Sequence, residues 1–299
     1  MASTQASSRD DANPFLHVNA MKNLLLRLIL SCAATALAGC SSLPSAPIAG
    51  NSTQGPAAEV KSLLWVGNSF FYYNNSMHGH VGQLLTAGGD RGFRGSSATI
   101  SGSGLNWHDI GSYLRADSGV GSYSFVGDNE VRFNPKGERK FDAVMMMDCS
   151  QCPIHPVLKP LFHEFAAKHS ATARSFGAEP ILFMSWAYSD KPEMTDPLAA
   201  AYVLAGKANN ALVVPAGLAF ATSVKKRPEL SLIVADKRHP SLAGTYLAAC
   251  TVLASVYKRN PVGSPYTAGL SADVAAHLQA TAWETAQAFH AKEGRGSQR

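Results

Sequence analysis

Two short segments of this sequence hold residue types that can do chemistry together. Gly67-Asn68-Ser69 closes the apolar run at 61–67. A serine at a strand-to-helix turn can aim its hydroxyl into a crevice, and glycine beside it permits tight backbone geometry. Its own N–H, near a helix N-terminus, can help hold an oxyanion. A serine hydroxyl is a poor nucleophile without a base. Asp236-Lys237-Arg238-His239-Pro240-Ser241 contains one. A carboxylate three residues before an imidazole can reach one ring nitrogen, fix the tautomer and leave the other nitrogen as base. Alone, each segment reads as ordinary structure: a capped turn, and a charged surface loop. Together, Ser69, His239 and Asp236 have the types needed for nucleophilic attack on an ester carbonyl.

The elements that must position them read as alternating strands and helices. Apolar runs at 61–67, 141–147, 180–186 and 212–215 suit strands, and 95–101 suits a weaker one. Helical spacing of apolar residues covers 76–88, 157–177, 196–210, 241–258 and 271–291. Pro240 falls in the first turn of the 241–258 helix, where proline is tolerated. Near-continuous apolar strands separated by helices argue for a parallel sheet covered on both faces. In such sheets ligands bind outside the carboxyl ends of the strands, which is where Ser69 falls, while His239 sits just before the 241–258 helix. Residues 119–135, with Tyr123, Phe125, Val131 and Phe133 around Gly127-Asp128-Asn129, read as a hairpin or loop insertion. There are no repeats, and one domain is expected over 61–291, with 292–299 a disordered tail.

Gly-Asn-Ser after the first strand, with Asp-x-x-His before a late helix, resembles the SGNH/GDSL hydrolase superfamily over most of residues 62–262. The segment from His239 to Cys250, Ser185-Trp186-Ala187-Tyr188 and 215–219 are similar to an uncharacterised bacterial branch of it. The resemblance implies a three-layer α/β/α sandwich with a flavodoxin-like five-stranded parallel sheet. It implies Ser69 as nucleophile, His239 as base and Asp236 as its orienting acid. It also implies an oxyanion hole from the N–H groups of Ser69 and Gly102, with Gly104 the alternate. The family's third block, Gly-x-Asn-Asp, is absent: Met147-Asp148-Cys149-Ser150-Gln151 stands there without asparagine, leaving Ser150 or Gln151 as poorly spaced donors. Losing one such donor typically costs about 10²–10³ in turnover. Asn68, Phe70 and Trp186 are candidate pocket residues, with core packing an equal reading for Trp186 at its strand end, and the run Phe70-Phe71-Tyr72-Tyr73 suits either an aromatic rim or helix packing. The implied substrate is an O-acetyl or short-chain carboxylic ester, on a carbohydrate by resemblance, hydrolysed through an acyl-enzyme; transfer to another alcohol uses the same parts. The alternative is an inactive surface lipoprotein of the same fold that binds glycan or a protein partner.

Residues 21–40 carry an early Lys22, an apolar run from Leu24 to Ala38, and Leu37-Ala38-Gly39-Cys40. The run is too short to span a bilayer comfortably. This pattern resembles the signal peptide and lipobox of bacterial lipoproteins, which implies cleavage before Cys40, lipidation of its thiol, and a membrane partner through that anchor. Ser41 in place of aspartate favours the outer membrane. Translation is expected to start at Met21, with 1–20 a non-native or extended N-terminus, and 40–60 reads as the lipidated cysteine and a flexible tether.

Composition fits this picture. Hydrophobic residues make up 46% and charged residues 16% of 299, which is globular and not disordered. The net charge of +5 is dispersed, which argues against a nucleic-acid partner. Cys149 and Cys152 form the one C-x-x-C, read as a local disulfide, free thiols or, least of all, a redox pair. Metal ligation by Cys149, Cys152, His155, His78 or His80 is not expected, since no second cysteine pair stands at finger spacing. His108 and His163 read as satisfied or surface residues. No organic cofactor is expected.

Overall fold

Leu63 to Val66, Ala143 to Met146 and Ile181 to Phe183 are buried at every position. A strand covered on one face would alternate; these are covered on both. The computed structural model describes residues 59–127, 130–133 and 140–296. The expected leader at 21–39, the stretch 1–20, Cys40 and all of the tether but residues 59 and 60 lie outside the described residues, as does the hairpin tip Asp128-Asn129.

Strands β1 (Ser62–Gly67), β2 (Arg94–Thr99), β5 (Ala143–Met146), β6 (Glu179–Phe183) and β7 (Leu212–Val214) form one parallel sheet in the order β2-β1-β5-β6-β7. This is the flavodoxin-like arrangement expected. Strands β3 (Tyr123–Gly127) and β4 (Glu130–Phe133) make a separate antiparallel pair within the 119–135 insertion.

Alternate strand residues feed two cores. Leu63, Trp65, Met145, Ile181, Phe183 and Val214 pack with α2 (Met77–Ala87), α6 (Ala216–Lys226), α7 (Leu242–Val256) and α8 (Ala272–Gly296). Leu64, Val66, Val144, Met146, Leu182 and Val213 pack with α3 (Ile110–Leu114), α4 (Lys159–Ser175) and α5 (Thr195–Ala208). Helix α7 is buried from Ala243 through Val256, which explains its apolar sequence on all sides. Helix α8 runs past residue 291 to Gly296. Helix α6 was not expected, although Ala216, Ala219, Phe220 and Ser223 are buried at helical spacing directly after Pro215.

The strand order turns back at β1, whose neighbours are β2 and β5. Connections leaving there diverge to opposite layers and open a crevice at the carboxyl ends. Ser69 follows β1, Gly102 follows β2 and Asp148 follows β5, so all three reach one place.

Candidate active site

Ser69 opens the short helix α1 (Ser69–Tyr72), and Asn68 caps it, accepting from the Phe70 N–H at 3.2 Å. The other end of the Asn68 amide donates to the carbonyls of Ser103 (3.0 Å) and Asp148 (3.2 Å), joining the ends of β1, β2 and β5.

His239 sits on a narrow loop closed by the bridge between Ile233 and Pro240 and by a hydrogen bond from the Val234 N–H to the His239 carbonyl (2.9 Å). Asp236 organises this loop. Its Oδ1 accepts from the N–H groups of Arg238 (2.8 Å) and His239 (2.9 Å), and its Oδ2 accepts from His239 Nδ1 at 2.6 Å. Partial desolvation would raise the Asp236 pKa, but these hydrogen bonds, with His239 beside it, outweigh that and hold it at about 2. Because a carboxylate only accepts, the proton belongs on Nδ1, and Nε2 faces Ser69 Oγ at 2.8 Å as an acceptor. The ring of Tyr73 stacks on His239 with centroids 4.2 Å apart and planes at 8°, and Phe70 meets it edge-on at 5.4 Å. A partly exposed imidazole, oriented by a carboxylate and set against a serine hydroxyl, can remove its proton and return it to a leaving alcohol.

The loop after β2 is tied to this serine turn. Ser103 Oγ donates to the Gly67 carbonyl (3.1 Å) and accepts from His108 Nε2 (2.9 Å), while His108 Nδ1 accepts from the Tyr113 hydroxyl (3.2 Å). Burial pushes His108 down to about 4, so it is neutral and acts as a strut. Among the described residues no hydrogen bond uses the N–H of Ser69, Gly102 or Gly104. Gly102 is exposed, with φ +71, and Gly104 is buried against Asp148.

Several pocket assignments need correction. Trp186 is fully buried, stacked between Phe70 (4.7 Å) and Phe220 (4.2 Å), and its Nε1–H donates to the Arg238 carbonyl at 3.0 Å. It supports the His239 loop from beneath and cannot line a pocket. Phe70 and Phe71 are buried too, because the apolar face of α1 packs on the sheet, and both ends of the Asn68 amide are occupied. The Ser150 hydroxyl is paired with the Tyr188 hydroxyl at 2.6 Å. Near the site the exposed side chains are instead Tyr72, whose hydroxyl donates to Ser101 Oγ (3.1 Å), and Ile100. Cys149 and Cys152 form a disulfide, so neither thiol is open to a metal.

Sequence reading gave no role to Ser103 or Asp148, and read His108 as a satisfied or surface residue and Tyr73 as rim or packing without placing either beside the triad. Trp107-His108 beside Ser101-Gly102-Ser103-Gly104 was a signal for the strut; nothing marked Asp148. Asp148 Oδ1 accepts from the N–H groups of Leu105 and Cys149, both at 2.8 Å. Burial raises its pKa from 3.8 to about 6, although those hydrogen bonds oppose the shift. A carboxyl raised in the folded state destabilises the fold as pH climbs from about 4 to about 6, an effect on the order of 3 kcal/mol that is fully present above pH 6. Asp148→Asn keeps an acceptor without charge. Its unfolding free energy, followed by urea titration from pH 4 to 7, should therefore gain on wild type as pH rises; a constant difference would refute the assignment.

The two glycines should separate in the same kind of experiment. An added Cβ at Gly104 would lie 2.8 Å from both Asn106 Oδ1 and Asp148 Oδ1. Gly104→Ala is expected to destabilise by about 1–3 kcal/mol and to lower turnover by displacing the loop. Gly102→Ala meets nothing within 4 Å and keeps its N–H, so at φ +71 it should cost about 1–2 kcal/mol of backbone strain with turnover largely kept. Equal losses of turnover would contradict this division.

With fold and geometry established, comparison with solved structures finds a DUF4886 family protein from Bacteroides uniformis, at 18% identity and TM-score 0.56 over 75% of this chain and 93% of that one. A candidate SGNH hydrolase from Slackia heliotrinireducens (20% identity, TM-score 0.49, 66% and 99% covered) is also similar. So is a catalytic mutant of an acetylxylan esterase from Geobacillus stearothermophilus (16%, TM-score 0.47, 67% and 96% covered). No protein-family profile matches the chain, and no curated protein does. At 18% identity the first likeness is one of fold, a parallel five-stranded sheet between helical layers.

Proposed function

We propose that this chain is a serine ester hydrolase of the SGNH type. One observation carries the reading: the continuous line from Asp236 Oδ2 to His239 Nδ1 (2.6 Å) and from His239 Nε2 to Ser69 Oγ (2.8 Å). Those residues come from opposite ends of the domain, and a non-catalytic binding protein has no need to align them.

In the proposed reaction Ser69 Oγ attacks the ester carbonyl as His239 Nε2 takes its proton. Asp236 stabilises the imidazolium. The N–H groups of Ser69 and Gly102 hold the oxyanion. The imidazolium then protonates the leaving alcohol, and water, activated by the same nitrogen, clears the acyl-enzyme. The substrate class proposed is an O-acetyl or short-chain ester, because Phe70, Phe71 and Trp186 are buried in the core and offer no apolar wall to a long acyl chain. The leader pattern at 21–40 supports a lipid-anchored location at the cell envelope, as part of the same proposal.

The test is a fluorophosphonate probe on residues 61–299, digestion and mass spectrometry. A label on the peptide carrying Ser69, absent in His239→Ala, is expected. A label elsewhere, or none, would sink the proposal.

A further inference from the structure

Three consecutive residues after the nucleophile helix, Asn74, Asn75 and Ser76, all adopt left-handed backbone, with φ 53, 64 and 66. Non-glycine residues seldom do so, and a run of three persists only where its surroundings hold it. The turn brings the Asn74 side chain back across the site. Its Nδ2 donates to the Pro240 carbonyl at 3.0 Å and to Thr245 Oγ1 at 2.8 Å. Pro240 follows His239, and Thr245 lies in the first turn of α7. The Asn74 carbonyl accepts from His80 Nε2 at 2.7 Å, and His80 Nδ1 in turn accepts from the Tyr266 hydroxyl at 2.8 Å. Among the described residues, the two Asn74 bonds and the His239–Ser69 bond are the only hydrogen bonds between residues 69–76 and 236–245. Tyr73, the preceding residue, is the one stacked on His239.

We propose that Asn74 is a positioning residue that sets the separation and alignment of Ser69 and His239, by tying the chain after the nucleophile to the chain after the base. The left-handed turn aims its amide, and the same turn lays Tyr73 on the imidazole face. This inference rests on the reading of Ser69, His239 and Asp236 as an acyl-transfer triad. Asn74 itself touches no reacting atom; it acts through His239. Misplacing a reacting group by about 1 Å can cost 10²-fold in rate.

Asn74→Gly tests this, since glycine keeps the left-handed backbone and removes only the side chain. For p-nitrophenyl acetate, kcat should fall by about 10- to 100-fold with KM within about twofold, because alignment is lost and ground-state binding is not. The His239 ring-proton resonances should move downfield as the Tyr73 ring slides off. Asn75→Gly, at an exposed position with the same backbone, should leave kcat unchanged. Thr245→Val, which removes one acceptor at nearly constant volume, should lose part of kcat, and Thr245→Ser should recover most of it. If Asn74→Gly does not fold, the two Thr245 variants decide the matter. A folded Asn74→Gly with wild-type kcat and His239 resonances overturns the inference, and so does loss of fold in both Asn74→Gly and Thr245→Val. Failure of the underlying reading looks different: wild type itself would neither hydrolyse the ester nor label at Ser69, while the resonances would still report whether Asn74 holds His239.

Discussion

Ser69→Ala should lower kcat for p-nitrophenyl acetate by about 10⁴- to 10⁶-fold, with the residual rate coming from the oxyanion donors and binding. The size follows from the geometry. Ser69 is only 6% exposed, and its hydroxyl meets the base at 2.8 Å. Removing one oxygen deletes the nucleophile and leaves α1, its Asn68 cap and the Gly67 turn in place, so the melting temperature should move little. His239→Ala should lose about as much, and the double variant no more than either, because the two act on one proton and are not additive. Steady-state rates of the three variants beside their thermal unfolding check this. A double variant losing the product of the single effects would mean that the two residues do not act as a unit. Substantial activity in Ser69→Ala would mean a different nucleophile.

Asp236→Asn should cost about 10⁴-fold in kcat without loss of fold, and the reason lies in the loop backbone. Oδ1 of Asp236 accepts two N–H groups, those of Arg238 and His239. An asparagine there must keep its carbonyl oxygen toward these donors, since turning the amide nitrogen to them sets donor against donor. The NH₂ then faces His239 Nδ1, forces it to accept, and moves the imidazole proton to Nε2. A protonated Nε2 facing Ser69 Oγ is no base. Nitrogen-15 shifts of His239 would reveal the exchanged tautomer, and kcat would report its consequence. A variant with the wild-type tautomer and rate would remove Asp236 from the mechanism. In wild type the carboxylate, held at about 2, stays ionised across the range where imidazoles titrate. What it contributes to stability is present above about pH 4, the ordinary carboxylate range, and is lost as pH falls through 2.

These effects depend on residues of unequal visibility. The Asp236–His239 spacing is local, so both the pair and its geometry could be read from four consecutive residues. The strands were readable because burial on both faces leaves no alternation, as in 143–146. The edge strand β2 was the least legible, since an edge strand needs few apolar residues, and Arg94–Thr99 has almost none. Helix α6 escaped notice because its small residues, Ala216, Gly217 and Ala219, make a faint apolar stripe. Trp186 could be read as a pocket residue or as core from its place at a strand end. Its burial depends on Phe70 and Phe220, which are distant in sequence.

From the amino-acid sequence alone, then, came the α/β class, the strand runs, and Ser69, Asp236 and His239 as the groups able to react, because periodicity and short-range spacing are properties of neighbouring residues. What only the tertiary structure decided is which distant groups meet. It brings Ser69 and His239 to 2.8 Å, closes Cys149 on Cys152, buries Trp186 beneath the loop, and buries Asp148 against the N–H groups of Leu105 and Cys149. It also carries Asn74 across to Pro240. Such contacts depend on the crossover connections of the sheet, and their energies come from burial and hydrogen bonding between segments that lie far apart in the chain.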